Sequence, residues 1–159
     1  VVQRAQRNAR FLKQMSDNAM HNRPPAPGRF AESLFGDAGA PDRVDLKMHG
    51  TVPFVDAARI WALGAGLHET NTSERFRRLV ELGRLPREDV DGWVAAFEFF
   101  QLLRLREQHR REYAYGRRDD DQPNEIELHT VSSLDRRILN ESFRQARKVQ
   151  QRLGLDFPG

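Results

Sequence analysis

The sequence predicts a mainly all-α fold: an antiparallel bundle of five helices with a small β-hairpin inserted between helices 1 and 2. Three observations carry that prediction. Apolar residues recur at intervals of three and four in five separate segments, the spacing that lines one face of an α-helix. Prolines, glycines and capping residues punctuate those segments where helices start and stop. A single stretch, 29–50, instead shows two short apolar runs around a turn-rich linker, as a hairpin does.

The first helix spans 1–21, with Ala5, Ala9, Leu12, Met15 and Ala19 on one face, and Pro24, Pro25 and Pro27 stop it. The hairpin pairs 30–35 with 44–48 across the linker GDAGAPDR. An isolated hairpin is marginal in water, so it is expected to lie on the helices. A second helix, 52–65, opens with Pro53 near its first position and buries Val55, Ala58, Trp61, Ala62 and Ala65. The third, 72–82, has Asn71 or Thr72 as N-cap, Glu74 in its first turn, and Phe76, Leu79 and Val80 inward. The fourth and longest runs from Pro86 to near Tyr115. Its segment WVAAFEFFQLLRL is apolar nearly all round, which places it at the centre of the bundle. After a polar loop, 116–131, the fifth helix begins at Ser132 or Ser133, with Asp135 in the position of a capping-box acid. Leu134, Ile138, Phe143, Ala146, Val149 and Leu153 form its stripe. The loops are short, so neighbouring helices should run antiparallel.

The length, 159 residues, predicts one domain over 1–159. The first residues read as the middle of a helix and carry no initiator methionine, as expected of a domain excised from a longer multidomain chain. Charge narrows the partners. There are 26 basic and 23 acidic residues, interspersed along every segment, and the net charge is +3. A nucleic-acid partner needs a concentrated basic stripe to neutralise phosphates, so the mixing argues against one. The absence of cysteine excludes disulfides and thiolate metal sites, and points to a reducing, cytoplasmic compartment. No apolar run approaches the ~20 residues of a membrane-spanning helix. The five histidines are scattered without metal-ligand spacing, and no metal or catalytic residue is assigned.

The candidate binding residues lie in two short stretches. In DLKMHGTVPFVDAAR, Lys47 ends an apolar run beside Gly50, where backbone and ligand can approach closely. An ammonium there can serve a polyphosphate as a point charge, or pair with Asp45 or Asp56. Asp56 and Arg59, three apart on a helix, can pair with each other, or Arg59 can take a phosphate bidentately. In TNTSER, Asn71, Thr72 and Arg75 sit at a helix start, where free N–H groups and the helix dipole suit an anion. Simple capping by Asn71 or Thr72 is the plainer reading. Arg104 and His109 form an R-x4-H string. A similar string supplies the catalytic pair of the helical HEPN ribonucleases, but residues five apart share a helical face poorly. Asp119, Asp120 and Asp121, beside Arg117 and Arg118, read as a solvated loop rather than a cation site, and Trp61, Trp93, Phe97, Phe99 and Phe100 read as core.

The segments DLKMHGTVPFVDAARIWAL, HETNTSERFRRLVELGRL, AFEFFQLLRLREQH and SSLDRRILNESFRQARKVQQRL, in that order, resemble the nucleotidyltransferase substrate-binding domain of bacterial signalling proteins. The resemblance covers nearly the whole chain. In that family the domain follows a nucleotidyltransferase domain related to PII uridylyltransferase, often with cyclic-nucleotide-binding and CBS modules before both. It implies a helical bundle closing one side of a nucleotide cleft, with Lys47, Asp56, Arg59, Asn71, Thr72 and Arg75 toward nucleotide or acceptor. Mg²⁺ and the NTP would be held by the catalytic carboxylates of the neighbouring domain. This chain has no Gly-Ser turn followed by Asp-x-Asp, so the hard oxygen ligands of metal-assisted transfer are expected elsewhere. The implied reaction moves a nucleoside monophosphate from NTP to a protein or small acceptor. A non-catalytic interaction or dimerisation bundle is the rival reading, and homodimerisation stays open.

Overall fold

The computed structural model describes residues 2–25, 43–115 and 124–158. Six helices and one short antiparallel ribbon are built from them. They are α1 (Val2–Gln6), α2 (Ala9–Ala19), β1 (Arg43–Asp45), a π-helical turn (Lys47–Thr51), α3 (Val52–Gly64), α4 (Thr72–Glu81), α5 (Arg87–Tyr115), β2 (Glu125–Glu127), a 3₁₀ turn (Leu128–Thr130) and α6 (Ser133–Asp156). The mainly α class expected from periodicity holds. Among the described residues, no helix is long and apolar enough to cross a membrane.

Helix starts follow their caps. Asn8 Oδ1 accepts from the Phe11 N–H at 3.0 Å, Asn71 Oδ1 from Glu74 at 3.1 Å, and Ser132 Oγ from Asp135 at 3.1 Å. Each satisfies one of the N–H groups that a first turn leaves unpaired. The first cap explains why the expected single helix over 1–21 is two: Asn8 ends α1 and starts α2. Gly66 and Gly83, both at positive φ, follow α3 and α4, a conformation that side chains with a Cβ resist.

The β pairing differs from the expected hairpin. β1 does pair antiparallel, but with β2, matching Arg43 to Glu127, Val44 to Ile126 and Asp45 to Glu125. The expected partner, 30–35, lies outside the described residues, as do Asp119–Asp121. β2 comes from the segment read as a polar loop, where one alternation, Glu-Ile-Glu, buries only Ile126. Three residues are too few for period-two patterning to stand out. The ribbon is tied down by Val44 and Ile126, both buried, by the Arg43–Glu127 ion pair at 2.9 Å, and by the Leu46 N–H donating to Asn124 O at 2.8 Å.

The core is aromatic. Phe54, Phe76, Phe100 and Phe143 are fully buried, Trp61 stacks on Trp93 with centroids 5.5 Å apart, and Phe100 meets Phe143 at 4.9 Å. Trp61 Nε1 donates to Asp156 Oδ2 at 2.9 Å, so its polar edge is satisfied while its face packs. Two expectations about burial are corrected. Helix α5 is buried on several sides through Trp93, Phe97, Phe100 and Leu103, yet Leu102 and Leu105 face outward. The inward stripe of α6 is Leu139, Ser142, Phe143, Ala146, Val149 and Leu153, while Leu134 and Ile138 are exposed. Both follow from packing: α5 and α6 lie side by side, and each turns only the stripe facing its neighbours inward.

Candidate functional site

Lys47 opens the π-helical turn rather than closing a strand. Asp45 sets that turn: its Oδ1 accepts from the backbone N–H of both Lys47 and Met48, each at 2.8 Å. The carboxylate weighed as an ion-pair partner for Lys47 is thus occupied by backbone donors. The Lys47 side chain is exposed, and its ammonium pairs with no carboxylate among the described residues. Gly50 is forced by the core behind it: a Cβ there would sit 2.7 Å from Phe100 Cδ1. The π turn runs directly into α3, so Lys47 shares one helical path with Asp56 and Arg59.

Asp56 and Arg59 do pair, Oδ1 to Nη1 at 3.5 Å, longer than an aligned charge-assisted hydrogen bond. Burial pushes the Asp56 carboxyl above its usual range, and Arg59 only partly opposes this. Arg75 stands on α4. Its Nε donates to the Glu69 carbonyl at 2.8 Å, and its other nitrogens make no bond to a described residue. Burial lowers the proton affinity of Arg75, the positive charge of Arg59 lowers it further, and Glu69 opposes both. The charge of Arg59 on α3 thus reaches Arg75 on α4.

Asn71 and Thr72 are brought to the same rim in sequence but not in role. Asn71 spends its side-chain oxygen on the cap, and its carbonyl accepts from the Arg75 N–H at 3.0 Å. The Thr72 side chain is buried beneath the helix start. No hydrogen bond or ion pair joins Lys47 to the other five residues among those described. Glu69 is the residue that sequence reasoning missed. Its carbonyl orients Arg75 while its carboxylate accepts from Arg78 Nε at 3.2 Å. Any residue supplies a carbonyl, so that role leaves no mark in sequence.

The other candidates are accounted for. Arg104 is spent on Asn124 Oδ1, with Nη2 at 2.7 Å and Nε at 3.1 Å, so the R-x4-H string has no matched pair of free side chains. Trp61, Trp93, Phe97 and Phe100 are core as expected, and Phe99 is half-buried. Among the described residues no group of His, Asp and Glu is arranged to hold a metal ion. Chemically, Arg75 is oriented through its Nε with its terminal nitrogens unbonded to described residues, and Arg59 is only loosely held by Asp56, groups whose chemistry suits an anion.

A protein-family model described as Putative nucleotidyltransferase substrate binding domain matches residues 9–157. Comparison with curated proteins and with solved structures gives no match.

Proposed function

Starting from the fact that this chain belongs to that family of nucleotidyltransferase substrate-binding domains, we propose that the α3–α4 rim holds the phosphates of a nucleotide. A nucleotidyltransferase domain alongside would supply Mg²⁺ and the catalytic carboxylates. The observation that carries the reading is the fixing of Arg75, whose Nε donates to the Glu69 carbonyl at 2.8 Å while its other nitrogens bond to no described residue. The charge of Arg59 also reaches Arg75, and an anion between like charges offsets their repulsion. Arg75 is aimed by the Glu69 carbonyl through Nε, which leaves its terminal nitrogens for a ligand. Asp56 is a counter-ion that a phosphate displaces from Arg59. Lys47, exposed and without a described carboxylate partner, is an outlying point charge for the same ligand.

In the finer reading, the reaction transfers a nucleoside monophosphate from NTP to a protein or small acceptor, uridylyl- or adenylyl-transfer in a signalling protein. This bundle closes the cleft without contributing a catalytic group. The test is titration of ATP and UTP into a protein carrying both domains, as wild type, Arg75→Ala and Lys47→Ala. Hydrogen bonds to charged groups contribute roughly 1.5–3 kcal/mol, so Arg75→Ala should weaken binding about tenfold to a hundredfold. Lys47→Ala should weaken it less. Unchanged affinity and turnover in Arg75→Ala would remove the rim from the ligand site.

A further inference from the structure

Gly66, at positive φ, turns the chain out of α3, and the Leu67 N–H donates to the Ala62 carbonyl at 2.8 Å. Asn71 then caps α4. Between these two anchors, among the described residues, no backbone–backbone hydrogen bond holds His68, Glu69 or Thr70. A segment of that kind opens at low free-energy cost unless side chains tie it down.

The tie is Glu69. Its carbonyl accepts from Arg75 Nε at 2.8 Å, and its carboxylate accepts from Arg78 Nε at 3.2 Å. Arg75 and Arg78 are three apart on α4, the spacing that puts two side chains on one helical face. Both reach back to one residue, the first to its backbone and the second to its side chain. The Glu69 N–H holds the Glu69 carboxyl below its usual range; burial opposes this, and Arg78 and the His68 N–H assist. Arg78 also pairs with Glu81, so its guanidinium is held between two carboxylates.

We propose that Glu69 and Arg78 are positioning residues for nucleotide binding: their ion pair fixes the Glu69 carbonyl, and that carbonyl holds Arg75 with its terminal nitrogens ready for phosphate. The inference rests on the reading of Arg75 as a phosphate ligand, and it assigns no ligand contact to Glu69 or Arg78. An arginine fixed before the ligand arrives is spared the rotamer entropy that a free one loses on binding, about a twofold to tenfold difference in affinity. An acid near a phosphate site otherwise opposes binding, because its charge repels the ligand. The side chains of the pair are 45% exposed at Arg78 and 28% at Glu69, where an ion pair adds little to overall stability. Its removal should therefore be read in affinity and not in melting temperature.

The test is calorimetric titration of ATP and UTP into the protein carrying both domains, as wild type, Arg75→Ala, Glu69→Ala, Glu69→Gln, Arg78→Ala and the double variants. The sign at Glu69 is diagnostic: removing its charge tightens binding of a polyanion if charge alone matters, and weakens it if aim is lost. Glu69→Ala should bind about twofold to tenfold more weakly. Glu69→Gln keeps an acceptor for Arg78 Nε and should fall between it and wild type. Both should melt close to wild type. In the Arg75→Ala background Glu69→Ala should weaken binding no further, because Glu69 acts only through Arg75. Arg78→Ala should also weaken binding, and should cost less in Glu69→Ala than in wild type, since their shared bond is already gone. Unchanged or tighter binding in Glu69→Ala, with Arg75→Ala weakened, overturns the positioning role and leaves the nucleotide reading standing. Losses that add in full, either Glu69 with Arg75 or Arg78 with Glu69, overturn it equally. If Arg75→Ala binds as wild type does, the nucleotide reading fails and this one fails with it. Should Glu69→Ala not fold, Glu69→Gln decides by the same sign.

Discussion

The rim between α3 and α4 and the outer face of α5 are both exposed, yet they are built on opposite terms. On the rim almost every polar group already has an intramolecular task. Asn71 caps α4, the Glu69 carbonyl aims Arg75, and its carboxylate takes Arg78. On the α5 face, Leu102 and Leu105 are exposed, and Arg106 is engaged with Asp135. The contrast separates two kinds of surface. A site for a small charged ligand needs its donors fixed in advance, since every rotamer frozen on binding subtracts from affinity. A face for another helix needs only the right side chains at the right spacing, because packing itself fixes them.

That contrast can be broken from the core outward. The largest effect expected is from Gly50→Ala, because Gly50 packs against Phe100, a fully buried ring that also meets Phe54 and Phe143. Overpacking of this kind costs about 1–3 kcal/mol, readable as a lower urea midpoint. Phe100 belongs to α5 and Gly50 to the π turn, so the change should disturb both elements; a midpoint equal to wild type would show that the turn yields freely. A smaller loss, about 0.5–2 kcal/mol, should follow Asn71→Ala through the missing cap. The comparison is sharpened by reading nucleotide affinity in the same variant: lower stability with unchanged affinity assigns Asn71 to capping alone, whereas affinity that falls further than stability explains makes it a ligand.

The smallest effect expected is at Glu141, on the exposed side of α6. Arg144, with Oε1 to Nη2 at 2.7 Å, holds its carboxyl down at about 2, burial opposes this, and Gln145 assists. A depressed carboxylate stabilises the fold above its unfolded pKa and loses that contribution as pH falls through the folded one. The loss should therefore spread from about pH 4.5 down to about 2. Both side chains are half exposed, so solvent screening limits the contribution to about 1 kcal/mol or less. Glu141→Gln should match wild type in melting temperature near pH 2 and fall slightly below it at neutral pH. An equal gap at both pH values would show that the pair contributes nothing through ionisation.

Much of the fold was legible because it rests on repeated, local signals. The caps Asn71 and Ser132, the acidic first turn of α5 and the apolar spacing of α3 and α4 each state their own helix. What was not legible depends on distant neighbours. Leu134 and Ile138 carry the same apolar character as Leu139 and Phe143, and only the position of α5 decides which pair is covered. The break at Asn8 was missed because one cap inside a polar run looks like any helical asparagine. The site divides similarly. Arg59 and Arg75 were identifiable as cations on helices, but the aiming of Arg75 by the Glu69 carbonyl needs the folded chain, as does the withdrawal of Thr72 into the interior.

The three-residue ribbon has a consequence for how the chain reaches this state. Arg43 and Glu127 are 84 positions apart, so their pairing closes a loop containing α3, α4 and all of α5. Closing so long a loop costs entropy that three ladder pairs cannot recover alone, so those helices must already be assembled when the strands meet. The ribbon is therefore a late latch: its amides should be among the first to exchange with deuterium when the protein breathes.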